Sequence, residues 1–404
     1  MQMQMGQEVD LYKSRYVGHW WSAQKGQICH PDIALSMNRT APPVRDRPAV
    51  KAPARKSVDV PMRKKRHEDS FVNLVLGVVD AADAVSGSVD NFQRWLHAPR
   101  PAPSPDVNVP PAKTVPPFDI QQIPDAMRGI GGPVGAALLD KWFAGELNYS
   151  PTPDDEVKGL NQNGVPYPAS MIDTTSIKMS WVMKFGRARR GLDELTSRLE
   201  TPKAREAIAK ALFPYRKWSS ILPSEQCGGD LMRLHREFQF QFVSVEGSLS
   251  QKLTQFAAQS LLHEGIPDDL TCALGSFNLS AAIAKATLNL SHNSSTATVT
   301  HISVYVKDNF TFTDKAGEAS QYLGHWNRNH VAIVPAHQIA AMKNIGWVDY
   351  AVVQGDVHAL DAVLYPVKNS DFRAWQRKHR QGGDFIIYSD TMSIRLEKPI
   401  TVTL

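Results

Sequence analysis

The chain has 404 residues, of which 42% are hydrophobic and 21% charged, enough apolar material for two cored domains and far from a fibrous or wholly disordered composition. Its formal charge of +5 is unevenly placed. Up to residue 115 there are 16 Lys/Arg against 11 Asp/Glu, and beyond it 29 of each, so the basic excess belongs to the N-terminal stretch and argues against a nucleic-acid-binding core, which would carry its own basic stripe.

Met1 to Asp10 is polar and acidic, without an apolar core or a cleavage-like site, which predicts no secretory signal peptide. The expected location is the cytoplasm of the producing cell, with any export following a route that needs no signal peptide. Tyr16-Val-Gly-His-Trp20 returns as Tyr322-Leu-Gly-His-Trp326, a repeat built from rare residues, and the first copy is expected to mimic or pair beside the strand that carries the second. Cys29, Cys227 and Cys272 are isolated and odd in number, as for reduced thiols, and the apolar flanks of Cys272 read as core.

Residues 40–66, rich in Pro and Arg, bury too little apolar area to offset ordering and predict a disordered linker ending in the basic cluster Arg63-Lys-Lys-Arg66. Phe71, Leu74, Val75, Val78, Val79 and Ala82 then recur at helical spacing, predicting one amphipathic helix over about 70–97 that docks on a partner or back on the core. Its longest apolar run, Phe71 to Val79, falls well short of the roughly 20 residues a membrane span needs. Prolines from Pro99 to Pro117 predict a second, extended linker, so residues 1–117 read as a basic, proline-rich, largely disordered leader.

From Phe118 the composition turns globular. Asp119 caps a helical turn running to Arg128, Gly129 to Pro133 breaks it, and helices follow at 134–143, 187–199 and, behind Thr201-Pro202, to Phe213. The glycine cluster lacks the Lys-Ser/Thr and the preceding strand of a phosphate loop. After Leu231 the period shifts to two at Phe238, Phe240 and Phe242, at Ala284 to Leu290 and at Val299 to Val306, with a hairpin turn at His292 to Ser295. Short strands are expected at 321–326, 331–334, 350–354, 384–388 and 393–396, interrupted by a helix at 370–379 that ends before Gly382-Gly383. The expected fold is α+β: a helical part over 118–230, then a mostly antiparallel β domain over 231–404 that carries the active site.

Phe118-Asp-Ile-Gln-Gln-Ile-Pro-Asp-Ala-Met-Arg128, Gly132 to Phe143, Val299 to Asp308, Tyr322 to Asn327 and Tyr365 to Trp375 together make residues 116–404 resemble an uncharacterised proteobacterial domain of unknown function associated with interbacterial competition and type VI secretion. That resemblance implies a delivered effector, with a secretion-apparatus component and a cognate immunity protein as partners. A weaker likeness is to colicin-M-type toxins, whose Asp-x-Tyr-Asp motif and following His-Arg are approached here by Asp308-Asn-Phe-Thr311 and His379-Arg380, with the Tyr and second Asp replaced.

Two stretches offer groups for acid/base chemistry and phosphate binding. On a strand, His325 and Asn327 share one face while Trp326 takes the other, an arrangement in which an amide orients an imidazole. Along 369–384, Phe372 and Trp375 are expected inside, with Arg373, Arg377, Lys378 and Arg380 as an outward cationic surface suited to phosphate. The candidate catalytic groups are therefore His325, His379, Asp308 and Asp371, and the candidate substrate-binding groups Asn327, Arg380, Arg377 and Trp326. No Cys-x-x-Cys, His-Glu-x-x-His, Gly-x-Ser-x-Gly or Walker-type signature is present, so cofactor and metal dependence stay open, with His301, His325, His330 and His379 as ligands only if folding gathers them. Two functions fit: a toxin hydrolysing a phosphate-bearing envelope or nucleic-acid substrate, or a non-enzymatic interaction module of a secretion apparatus.

Overall fold

The computed structural model describes residues 35–45, 118–245, 268–290, 295–314, 317–329, 331–332, 352–353 and 363–404. After a 3-10 turn (Ile120–Gln122), the helices are α1 (Ile123–Gly129), α2 (Pro133–Phe143), α3 (Pro153–Lys158), α4 (Met179–Val182), α5 (Gly186–Ser197), α6 (Pro202–Leu212), α7 (Pro223–Gln226), α8 (Leu231–Phe238), α9 (Asp269–Leu274) and α10 (Asn369–His379). The strands are β1 (Ile172–Asp173), β2 (Ser220–Ile221), β3 (Gln239–Val245), β4 (Phe277–Leu290), β5 (Ser295–Phe310), β6 (Tyr322–Trp326), β7 (Val331–Ala332), β8 (Val352–Val353), β9 (Val363–Lys368), β10 (Phe385–Tyr388) and β11 (Met392–Thr403). The fold is α+β, with most helices ahead of a mostly antiparallel set of strands, as the periodicity predicts.

Local chemistry explains where the helices start. Thr152 and Thr201 each accept a backbone N–H two or three residues into α3 and α6, and Pro153 and Pro202 follow them at a position whose N–H would lack a helical partner anyway. The glycine-rich entry to α2 is closed differently: Asp269 Oδ1 accepts the amides of Val134 and Gly135 at 2.9 and 3.1 Å. A protein carboxylate thus occupies the place a phosphate would take in a phosphate loop.

The chain forms two compact units. One comprises residues 127–247, 268–320 and 372–404, and holds the seven-stranded sheet β1-β10-β5-β4-β2, with β11 also on β5 and β3 also on β4. Its spine is the β4–β5 hairpin, paired from Asn278 and Lys307 out to Leu290 and Ser295. Along the other side of β5, β10 pairs with residues 307–310 and β11 with 296–304. Helix α5 lies so close to β3 that a Cβ on Gly191 would stand 2.6 Å from Val245 Cγ2. Burial changes along β4: Leu279 to Ile283 are all enclosed, whereas from Lys285 onward exposed and buried residues alternate. One face of the sheet is therefore open at that end.

The other unit comprises residues 1–126, 248–267 and 321–371; its described strands form the sheet β7-β6-β9-β8. Trp326, Tyr365 and Val367 are buried there, and Phe118 stacks on Tyr365 at 5.7 Å. Gly324, at φ +112, adopts a backbone that only glycine takes without cost, and the β6–β9 register shifts between Tyr322 and Gly324.

Two boundaries differ from expectation. β11 runs to Thr403 rather than stopping near 396, because a register shift between Arg395 and Ile400 absorbs Pro399 and the strand resumes beyond it. Residues 40–45, expected as linker, belong to a placed segment, 35–45, whose Ser36 forms a parallel bridge with Asp119. The expected helix at 70–97, the proline-rich stretches beyond residue 45, the first copy of the repeat, Cys29, His330 and the turn after Leu290 lie outside the described residues.

Candidate functional site

In the larger sheet unit, α10 is anchored by a buried polar network. Arg373, expected to face outward, turns in: Nη1 and Nη2 grip the two oxygens of Asp384 at 3.0 and 2.6 Å, and the guanidinium also reaches Gln376 Oε1, Thr313 Oγ1 and the Phe312 carbonyl. Asp384 is fully enclosed and also accepts Trp142 Nε1–H at 2.9 Å. Burial pushes its carboxyl up to about 6, against the pull of Arg373. Asn148 donates to the Asp384 carbonyl and Gln376 to the Gly382 carbonyl, so the groups around the charge are bonded. A buried ion pair persists when such bonds accompany it, because desolvation otherwise exceeds the attraction. Around it Trp142 meets Phe143, Phe312 and Phe372 edge to face at 5.0 to 5.4 Å. This cluster is architecture.

The expected site residues are divided between the units. Asp308, His379, Arg377 and Arg380 belong to the larger sheet unit; His325, Trp326, Asn327 and Asp371 belong to the other. His379 stacks on Trp375 at 4.6 Å, while Arg377 and Arg380 are exposed, Arg380 ending the helix at the left-handed φ of +52. Asp308 lies on β5 opposite Ile387, and burial pushes its carboxyl up to about 8, with Lys307 opposing, so near neutrality most molecules keep that proton. His325 is 1% exposed, its Nδ1 2.5 Å from the Tyr322 hydroxyl. Trp326 donates to the Leu323 carbonyl and Asn327 Oδ1 accepts the Asn329 amide in a tight turn just past β6. Asp371 Oδ2 accepts the Lys368 amide at 2.7 Å, a helix-start bond back to the residue before α10, and burial raises its carboxyl.

A different group of residues forms an open cleft of about 730 Å³ at the exposed end of the larger sheet, lined by Lys285, Thr287, Thr300, His301, Arg395 and Glu397 with Leu396 and Pro399. The register explains it. Lys285 on β4 is paired with His301 on β5, which on its other side is paired with Arg395 on β11, so the three side chains stand in a row on one face. Register shifts on both sides of Lys285 and after Arg395 bend the strands at that row. His301 directs Nδ1 to Thr300 Oγ1 at 3.0 Å, which leaves Nε2 without a protein partner among the described residues. Lys285 and Arg395 are exposed and enter no ion pair among those residues. Sequence reading named His301 as a possible metal ligand but missed Lys285 and Arg395. The one local signal was a lone Lys breaking the Ala-rich run Ala281 to Ala286.

Other reactive groups are quiet. Burial holds the Cys227 and Cys272 thiols up at about 11 and about 12, so neither supplies a thiolate near neutrality. His235, bonded to the Tyr305 hydroxyl at 2.9 Å, is pushed down to about 4 by burial and by Lys307, and stays neutral. Among the described residues no cluster of three His, Cys, Asp or Glu could hold a metal, and no helix is long and apolar enough to cross a membrane.

No curated protein and no solved structure matches the chain. Residues 118–404, from the capped turn at Asp119 through the row of Lys285, His301 and Arg395, match the model of a family of unknown function (DUF6402), and the chain belongs to that family.

Proposed function

We propose that the chain is a binding module that engages a phosphate-bearing partner through the cleft on β4, β5 and β11. The observation that carries this reading is the row Lys285, His301, Arg395 on three adjacent strands, its two formal cations unpaired within the described protein. Strands lie about 4.8 Å apart, so the row spans about 10 Å, the reach of a diphosphate or of two neighbouring phosphates. Arg supplies two parallel donors, Lys a mobile point charge, and the His301 ring a third donor when protonated at Nε2. Glu397 on the rim disfavours uncontrolled accumulation of anions. Titration calorimetry with inorganic pyrophosphate tests the site: binding should weaken with salt and fall about tenfold or more in Lys285→Glu and in Arg395→Glu. Equal binding by wild type and both variants would sink the reading.

A second reading, in which the chain is a delivered effector hydrolysing a phosphate-bearing envelope or nucleic-acid substrate, is favoured by one observation: the buried His325 imidazole meets the Tyr322 hydroxyl at 2.5 Å, a pairing suited to moving a proton. In that reading Asp308, Asp371 and His379 are further acid/base candidates, Asn327, Trp326, Arg377 and Arg380 contact substrate, and the partners are a secretion component and an immunity protein. In the same reading the protein is held in the cytoplasm of the producing cell before its delivery. Expression of the full chain in a bacterium, directed to cytoplasm or to periplasm, separates the readings. Killing in one compartment that is lost in His325→Ala supports the enzyme, and harmlessness in both supports the binding module.

A further inference from the structure

Residues 35–45 lie outside the family match, and Ser36 is 83 positions in sequence before the contact it makes, yet the segment is held by a set of directed bonds. Ser36 donates its amide to the Phe118 carbonyl at 2.8 Å and accepts the Ile120 amide at 2.9 Å, adding one rung of parallel strand. Asp119 divides its carboxylate between two tasks. Oδ1 accepts the Gln121 amide and caps the 3-10 turn, whereas Oδ2 accepts the Ser36 hydroxyl at 2.8 Å and the Arg39 amide at 3.0 Å. Gln121 Nε2 closes the contact on the Arg39 carbonyl at 2.8 Å. Within the segment, the Asn38 amide donates to Ser36 Oγ, which shapes the turn that brings Arg39 to Asp119.

We propose that Phe118 to Gln122 is a peptide-binding notch, that Ser36 to Arg39 of this same chain is its resident ligand, and that Asp119 is the residue that recognises it. The requirements on the ligand follow from the bonds: a hydroxyl and a free N–H at its first position, and a free N–H and carbonyl three residues later. Main-chain pairing supplies affinity and the hydroxyl-to-carboxylate bond supplies selectivity, the division of labour seen when an extended peptide adds to an exposed strand. The entropic cost of bringing two such distant segments together grows only with the logarithm of their separation, which a charge-assisted pair together with three further hydrogen bonds can offset. The described segment 35–45 is therefore held at the start of the family-matched region, by Ser36 and Arg39 on Phe118 to Gln121.

The test uses the full chain. In wild type, hydrogen exchange should show protected amides at Ser36, Arg39 and Ile120. In Asp119→Ala, and in Ser36→Pro, which removes both donors of residue 36, protection at Arg39 should be lost while amides of β5 keep theirs, which separates release of the clasp from unfolding. A fluorescent peptide covering residues 33–46 should then bind the Ser36→Pro chain, whose notch is vacated, and bind about tenfold or more weaker both to wild type and to the Ser36→Pro/Asp119→Ala chain. Wild-type Arg39 exchanging as fast as in the free peptide, or peptide binding indifferent to Asp119, overturns the proposal. So does a dimer in sedimentation that Asp119→Ala abolishes, because the ligand would then come from a second copy.

Discussion

Two arginines of the larger sheet unit meet opposite fates. Arg373 is 15% exposed and grips the enclosed Asp384, while Arg395 stands exposed at a strand bend beside His301 and Lys285 and pairs with no carboxylate among the described residues. The same guanidinium is therefore structural where its bonds are completed inside the protein and available for recognition where they are not. Completed bonds mark architecture, and incomplete ones on a shaped surface mark a place for a partner.

Removing the completed pair should have the largest effect. Arg373→Ala leaves Asp384 buried without its counter-charge and should cost about 3–5 kcal/mol of stability, read by urea denaturation. A loss below about 1 kcal/mol would show that water enters and satisfies the carboxylate instead. Next in size is Gly191→Ala, which drives a methyl to 2.6 Å from Val245 Cγ2. The expected loss is about 1–3 kcal/mol, with helix α5 displaced from β3; an unchanged melting temperature would show that the interface yields freely.

A third prediction concerns pH. Asp308 titrates near 8 when folded against 3.8 as a free side chain, so the folded state binds its proton more tightly and stability falls as pH rises between those values. His235 acts with the opposite sign: held down to about 4 from 6.5, it withdraws stability as pH falls through that window. Between 4 and 6.5 His235 opposes Asp308, which Asp384 reinforces up to about 6, so the clearest interval for Asp308 is from 6.5 to 8. Denaturation midpoints should therefore decline across that upper interval in wild type and stay level in Asp308→Asn; parallel profiles would show that Asp308 ionises normally. The smallest effect on stability belongs to the open row. Lys285→Ala and Arg395→Ala should each change unfolding by about 0.5 kcal/mol or less while pyrophosphate binding weakens, and a large stability loss would place these residues among the completed bonds after all.

Much of the fold is legible before folding because its causes are local. Thr201-Pro202 announces α6, Asp119 announces its own turn, and the alternation through Val299 to Val306 announces β5, since each signal acts within a few residues. The face of α10 is legible only in part. Phe372 and Trp375 are inside as their spacing predicts, but Arg373 shares that interior because its partner Asp384 lies beyond the helix, on the approach to β10, and its other contacts, Phe312 and Thr313, come from the segment after β5. Ser36 is a sharper case: nothing within 80 residues of it betrays a destination.

What the sequence by itself determined is the α+β order of elements and the caps of helices such as α3 and α6, both consequences of short-range sterics and hydrogen bonding. Only the tertiary structure decided which charges are spent and which are offered. Lys285, His301 and Arg395 become neighbours through strand register, Arg373 is claimed by Asp384, and Asp119 by Ser36, because pairing between distant segments is set by the packing of the whole sheet and by which polar groups burial leaves in need of a partner.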